Sequence, residues 1–146
     1  MKKIMTLLSG LMLLSAIPAA ADNDRAVTID QLPAAAREFI AENFPGEQVA
    51  YAKLERDFPE SRYEVVFTSA RKLEFKRNGE WTKIDCRYSS VPEDAVPPQI
   101  RAKVLELFPG ASIIEIERDR RETEIKLDNR MEMKFDRRGL LIEIDD

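Results

Sequence analysis

Residues 32–46 read LPAAAREFIAENFPG, and residues 96–110 read VPPQIRAKVLELFPG. Six of the fifteen positions are identical at an offset of 64: Pro33/Pro97, Arg37/Arg101, Glu42/Glu106, Phe44/Phe108, Pro45/Pro109 and Gly46/Gly110. Such internal similarity is the first thing a fold must explain. Proline suits the first turn of a helix, because its missing N–H would find no partner there. Pro45 and Pro109 then stop the helix, and the following glycine lets the chain turn. Ala36, Ile40 and Phe44 lie four apart on one face, and Ile100, Val104 and Phe108 repeat that stripe.

Beyond each helix the apolar period changes from about four to two, the signature of strands with one buried face. Tyr63, Val65 and Phe67 form one such series, and Met131, Met133 and Phe135 another. Here the offset shortens to 60, pairing Phe75 with Phe135, Gly79 with Gly139 and Ile84 with Ile144. Asn78-Gly79 is a two-residue hairpin signal, because a type I′ turn needs positive φ at both central positions. Asp128-Asn129 and Arg138-Gly139 fill the corresponding places in the second half. The expected fold class is α+β, a tandem repeat of one helix plus a four-stranded antiparallel sheet. Each sheet would have one face under its helix and one face open. The boundaries read as 22–87 for the first unit, with its core from about 28, 88–91 for a linker, and 92–146 for the second unit.

Residues 1–21 read as an export signal. Lys2 and Lys3 precede an apolar run over residues 4–17, Pro18 ends it, and Ala19-Ala20-Ala21 offers an A-x-A cleavage site before Asp22. The run is short for a membrane span, so the expectation is cleavage after Ala21, no stable span afterwards, and a periplasmic or secreted product. Loss of Lys2 and Lys3 leaves 21 basic against 27 acidic residues, a balance that argues against nucleic acid as a partner.

Composition also removes chemistry. The chain has no histidine, which excludes Ser-His-Asp and Cys-His catalysis and any imidazole proton shuttle. Its one cysteine, Cys86, excludes an intrachain disulfide and multi-cysteine zinc sites. Asp119, Glu122 and Glu124 lack the glycine of a calcium loop and are interrupted by Arg120 and Arg121. No catalytic residue, metal ligand or cofactor is assigned. Cys86 follows Ile84 by two, which places it on the core side of its strand. An inert buried thiol and an intermolecular disulfide both remain open readings, as does the oligomeric state.

An export signal, then units of Leu/Val-Pro, an amphipathic helix ending in Phe-Pro-Gly, and strands around Asn78-Gly79-Glu80-Trp81 together resemble the PepSY-like family of secreted bacterial proteins, which are described as similar to a β-lactamase inhibitor protein. The resemblance runs from Ile29 to Asp146. It implies an extracytoplasmic, non-enzymatic role. The inhibitor presents the open face of a sheet to an enzyme and carries a disulfide in each repeat, which this chain cannot form; no contact residue is carried over.

The function expected is a binding module for an unidentified envelope or secreted protein, docking or inhibiting it through the open sheet face. The alternative is a carrier or sensor of a small apolar ligand or peptide, held between helix and sheet. Strict strand parity puts Val49, Tyr51, Val66 and Trp81 on the open face of the first sheet, rimmed by Lys53 and Lys83 among other charges. Tyrosine and tryptophan at such a place are frequent interface anchors. The matching positions of the second sheet are Ile113, Glu115, Lys126 and Leu141, a less aromatic set.

Overall fold

The computed structural model describes residues 24–57 and 59–146, so the expected export signal lies outside the described residues. Both helices begin directly after a proline and end at the Phe-Pro-Gly motif. Helix α1 spans Ala34–Asn43 and α2 spans Pro98–Leu107. The last helical carbonyls are capped alike: Phe44 N donates to Ile40 O, and Phe108 N to Val104 O, both at 2.8 Å. Gly46 and Gly110 then take φ of 76° and 94°, a region that suits glycine.

The strands are β1 (Arg25–Val27), β2 (Val49–Asp57), β3 (Glu60–Phe67), β4 (Lys72–Lys76), β5 (Trp81–Asp85), β6 (Ile113–Arg118), β7 (Glu122–Leu127), β8 (Glu132–Asp136) and β9 (Leu141–Asp145). They form one nine-stranded antiparallel sheet whose spatial order is the sequence order. This corrects the expected fold class. The chain is not two units that each carry a helix on their own four-stranded sheet; it is a single sheet with two helices. The seam is β5 against β6, with Lys83 opposite Glu117, Ile84 opposite Ile116 and Asp85 opposite Glu115. Backbone bonding continues past the strand: Cys86 N donates to Ile114 O at 2.7 Å and Val91 N to Ile113 O at 2.8 Å. Two separate sheets would each leave an open edge at this point, and pairing those edges satisfies both rows of backbone groups.

The core is one continuous cluster on one face of the sheet. Val65, Leu73, Ile84, Ile116 and Ile125 are 0% exposed and carry it across the seam. Ala36 and Phe44 of the α1 segment, and Ile100 and Val104 of α2, close it from above. The parity of the strands is broken in two places per half. Between β2 and β3 the register shifts between Val49 and Tyr51, so Val49 lies opposite Phe67 and Tyr51 opposite Val66. Between β4 and β5 it shifts between Glu74 and Phe75, so Phe75 lies opposite Trp81. The same shifts recur at Ile113/Glu115 and at Lys134/Phe135. Each extra residue moves everything beyond it to the other face.

Candidate binding face

These irregularities decide which side chains reach the uncovered face. Trp81 and Val49 do not. Trp81 is 7% exposed, with its ring 6.1 Å from that of Phe39 on α1. Val49 packs against the core beside Phe67. Both placements on the open face are therefore corrected, and the cause in each case is a bulge that uninterrupted alternation cannot express. By the same registers Ile113 and Leu141 pack against the core of the second half. Tyr51, Val66, Lys53 and Lys83 do lie on the open face, where Tyr51 is 50% exposed.

The face is a lattice of ion pairs in which a lysine bridges two carboxylates. Lys53 spans Asp24 (2.8 Å) and Glu55 (3.1 Å). Lys72 spans Glu64 (3.7 Å) and Glu74 (4.0 Å). Lys83 spans Glu115 (3.1 Å) and Glu117 (3.7 Å) across the seam, and Lys134 spans Glu122 and Glu143. Glu55, Glu64 and Glu115, each paired with a lysine, and Asp85, paired with Arg87, are buried although no helix covers this face. A surface ion pair contributes only about 0–1 kcal/mol. Removing one partner of a shielded carboxylate costs more, because the charge that remains is desolvated. Tyr51 stands above the lattice and donates its hydroxyl to Glu64 Oε1 at 3.2 Å. Burial, followed by the Glu64 charge, raises its pKa.

Lys83 is also shifted upward: burial opposes its charge, but Glu115 and Glu117 outweigh that. Glu55 shows the opposite balance. Burial pushes its carboxyl up, yet Arg62 and Lys53 prevail and hold it at about 2. A depressed carboxylate stabilises the fold fully above its unfolded value and loses that contribution as pH falls through the folded value. The urea midpoint should therefore fall between pH 4.5 and 2, and Glu55→Gln should flatten that part of the profile. An unchanged slope in the variant would show that Glu55 does not carry it. Glu55 was not singled out in the sequence; its signal is the run of Lys and Glu at alternate positions of neighbouring strands.

Cys86 lies on the core side, 1% exposed. Burial pushes its thiol up to about 11. The thiolate is the reactive form, so the native protein should resist a thiol reagent at pH 8 and react fully once unfolded in urea. Native labelling at the unfolded rate would contradict the placement.

Residues 21–60 and 61–143 both match the family described as "Putative beta-lactamase-inhibitor-like, PepSY-like". The chain belongs to this PepSY-like family. Three solved structures match it over nearly their whole length. A Bacteroides vulgatus protein described as a "putative periplasmic protein" is 43% identical, with a TM-score of 0.84 over 86% of this chain and 99% of that one. A Bacteroides thetaiotaomicron protein described as a "putative calcium-regulated periplasmic protein" is 42% identical, with the same TM-score and coverage. A second B. vulgatus protein, described as periplasmic and of unknown function, is 36% identical, with a TM-score of 0.79 over 84% of this chain and 99% of that one. No curated protein matches the chain. The PepSY-like chain is, like these relatives, a periplasmic protein. Among the described residues no helix is long and apolar enough to cross a membrane.

Proposed function

We propose that this PepSY-like protein is a non-enzymatic binding module that docks, or inhibits, another envelope or secreted protein on the open face of its sheet. The observation that carries this reading is that both helices lie on one side, while the other side presents Tyr51 above an ordered lattice of charges. In this reading residues 1–21 direct export and are removed after Ala21, and residues 22–87 and 92–146, joined by 88–91, both contribute strands to the docking face. A non-enzymatic role is supported by the absence of histidine, and each of the four buried acids is paired with a lysine or arginine.

Tyr51→Ala should weaken binding to the protein that co-purifies from the native envelope by roughly 2 kcal/mol or more, the loss expected of an aromatic anchor. Lys53→Ala and Lys83→Ala should have smaller effects that shrink as salt rises. Titration calorimetry measures all three. Full affinity in Tyr51→Ala with an intact fold would move the docking surface off this face.

A second reading, a carrier or sensor of a small apolar ligand or peptide, is favoured by one groove of about 360 Å³ between α2 and the segment after β5. Val96, Val104, Leu105, Phe108 and Ile113 line it. Arg101 lines it too, and its Nε is shielded from solvent without a hydrogen-bond partner among the described residues. Mass spectrometry of an organic extract of the native protein separates the readings: a stoichiometric lipid or peptide supports the carrier, and a clean extract removes it.

A further inference from the structure

The β5–β6 ladder ends at Lys83 opposite Glu117. Past that point the carbonyl of Trp81 accepts from the side chain of Arg118, Nε to O at 2.9 Å. The seam opens there into a cleft of about 820 Å³ at the turn end of the sheet. Arg62, Arg77, Arg118, Arg120 and Arg121 line it, together with carboxylates that include Glu74 and Glu117.

Arg118 is the unusual member. Its guanidinium carbon sits 3.6 Å from the centroid of the Trp81 ring, which is itself held against Phe39. The stack fixes the plane of the fork. Among the described residues no carboxylate lies within ion-pair distance of it, and its hydrogen bond to Trp81 uses Nε alone. Among the described residues the two terminal amino groups thus have no protein acceptor. Burial lowers its pKa, and only the Glu80 charge works the other way. A partly buried cation without a counter-charge is a costly arrangement. Arg77, Arg120 and Arg121 are exposed and also lack an ion pair among the described residues, in contrast to Arg62 and Arg87, which hold Glu55 and Asp85.

We infer that this cleft receives an acidic loop of the docked partner, with an aspartate or glutamate carboxylate pairing to the free amino groups of Arg118. This deepens the docking reading above and rests on it. The planar fork matches a carboxylate through two parallel N–H···O bonds. The lining favours a peptide over a polyanion. Glu74, Glu117 and Asp119 share the cleft, so a phosphate-rich ligand meets repulsion, whereas a peptide offers backbone N–H groups to those acids along with its own carboxylate.

Trp81 is the chain's one tryptophan and reports on the site directly. The protein purified from its native envelope is titrated with the blocked peptide Gly-Glu-Gly-Asp-Gly, and tryptophan fluorescence is followed. The expected result is a saturable change with a Kd on the order of 1 mM, weak because so few groups are engaged. Arg118→Gln should lower the affinity at least about tenfold, the loss of a charge-assisted pair. The joint variant Arg120→Ser with Arg121→Ser, on an exposed turn, should weaken it roughly threefold and reduce its salt dependence without touching the stack. The inference is overturned by an equal response to Gly-Gln-Gly-Asn-Gly, by unchanged affinity in the joint variant and in Arg118→Lys, or by tighter binding of inorganic phosphate than of the peptide. Peptide binding should survive Tyr51→Ala. If the partner's affinity is also indifferent to Tyr51→Ala, the open-face reading fails and the cleft stands. If Tyr51→Ala abolishes partner docking but the acidic peptide never binds, the cleft fails and the face stands.

Discussion

Trp81→Ala is expected to lower stability by about 3–5 kcal/mol, the usual range for truncating a buried aromatic. The ring is enclosed by Phe39 on one side and the Arg118 guanidinium on the other, and it lies opposite Phe75, which is 0% exposed. Truncation removes the ring's dispersion contacts, leaves a cavity under α1, and strips Arg118 of a cation–π contact worth about 0.5–2 kcal/mol. Urea denaturation followed by far-ultraviolet circular dichroism measures the loss. A change under about 1 kcal/mol would mean that Trp81 is not part of the core. A binding defect in this variant would report a damaged fold rather than a lost contact, which is why Tyr51 and not Trp81 is the probe of the docking face.

Gly79→Ala should cost about 3 kcal/mol, combining left-handed strain of roughly 1–2 kcal/mol with a clash of similar size. Gly79 has φ of 91° and sits in the turn between β4 and β5, beneath the start of α1. A Cβ there would fall 2.9 Å from Ala35 Cβ and 3.0 Å from both Ala36 N and Pro33 Cβ. None of these atoms can swing aside, because they belong to the helix start itself. Gly139, between β8 and β9, is the control. Its φ is 81°, but the atoms an added Cβ would meet are those of the Gln99 side chain, which can rotate away. Gly139→Ala should therefore cost only the strain, about 1–2 kcal/mol. Equal losses at the two sites would show that α1 does not press on the β4–β5 turn.

The helices and turns were legible because their determinants are local. Pro33, Phe44-Pro45-Gly46 and Asn78-Gly79 act within a few residues of themselves. The joining of strands into one sheet was not legible. The β5–β6 pairing brings Ile84 to Ile116 across the whole of α2, and no local pattern in either strand names its partner. Strand β1 was missed for a different reason: three residues are too few to display alternation. The open face of the sheet was half legible. Charges at alternate positions put Lys53 and Lys83 on the open side, where they lie, but strict parity carried Val49 and Trp81 to the wrong side. A signal existed in the second half, where Ile113-Ile114 and Leu140-Leu141-Ile142 put apolar residues side by side. Two adjacent apolar residues in an alternating strand are what a bulge looks like in sequence. Their counterparts Val49-Ala50 and Trp81-Thr82 hide the same irregularity behind a small and a polar residue.

The docking face itself is tested most directly by lysine acetylation of the protein with and without its co-purified partner, read by mass spectrometry. Lys53, Lys72 and Lys83 lie on the open face, while Lys103 lies on α2, paired with Glu106 on the helix side. The account predicts that the partner slows acetylation of the first three several-fold, as exclusion of solvent from an interface requires, and leaves Lys103 unchanged. Protection of Lys103 with free reaction at Lys53, Lys72 and Lys83 would contradict it and place the partner on the helices.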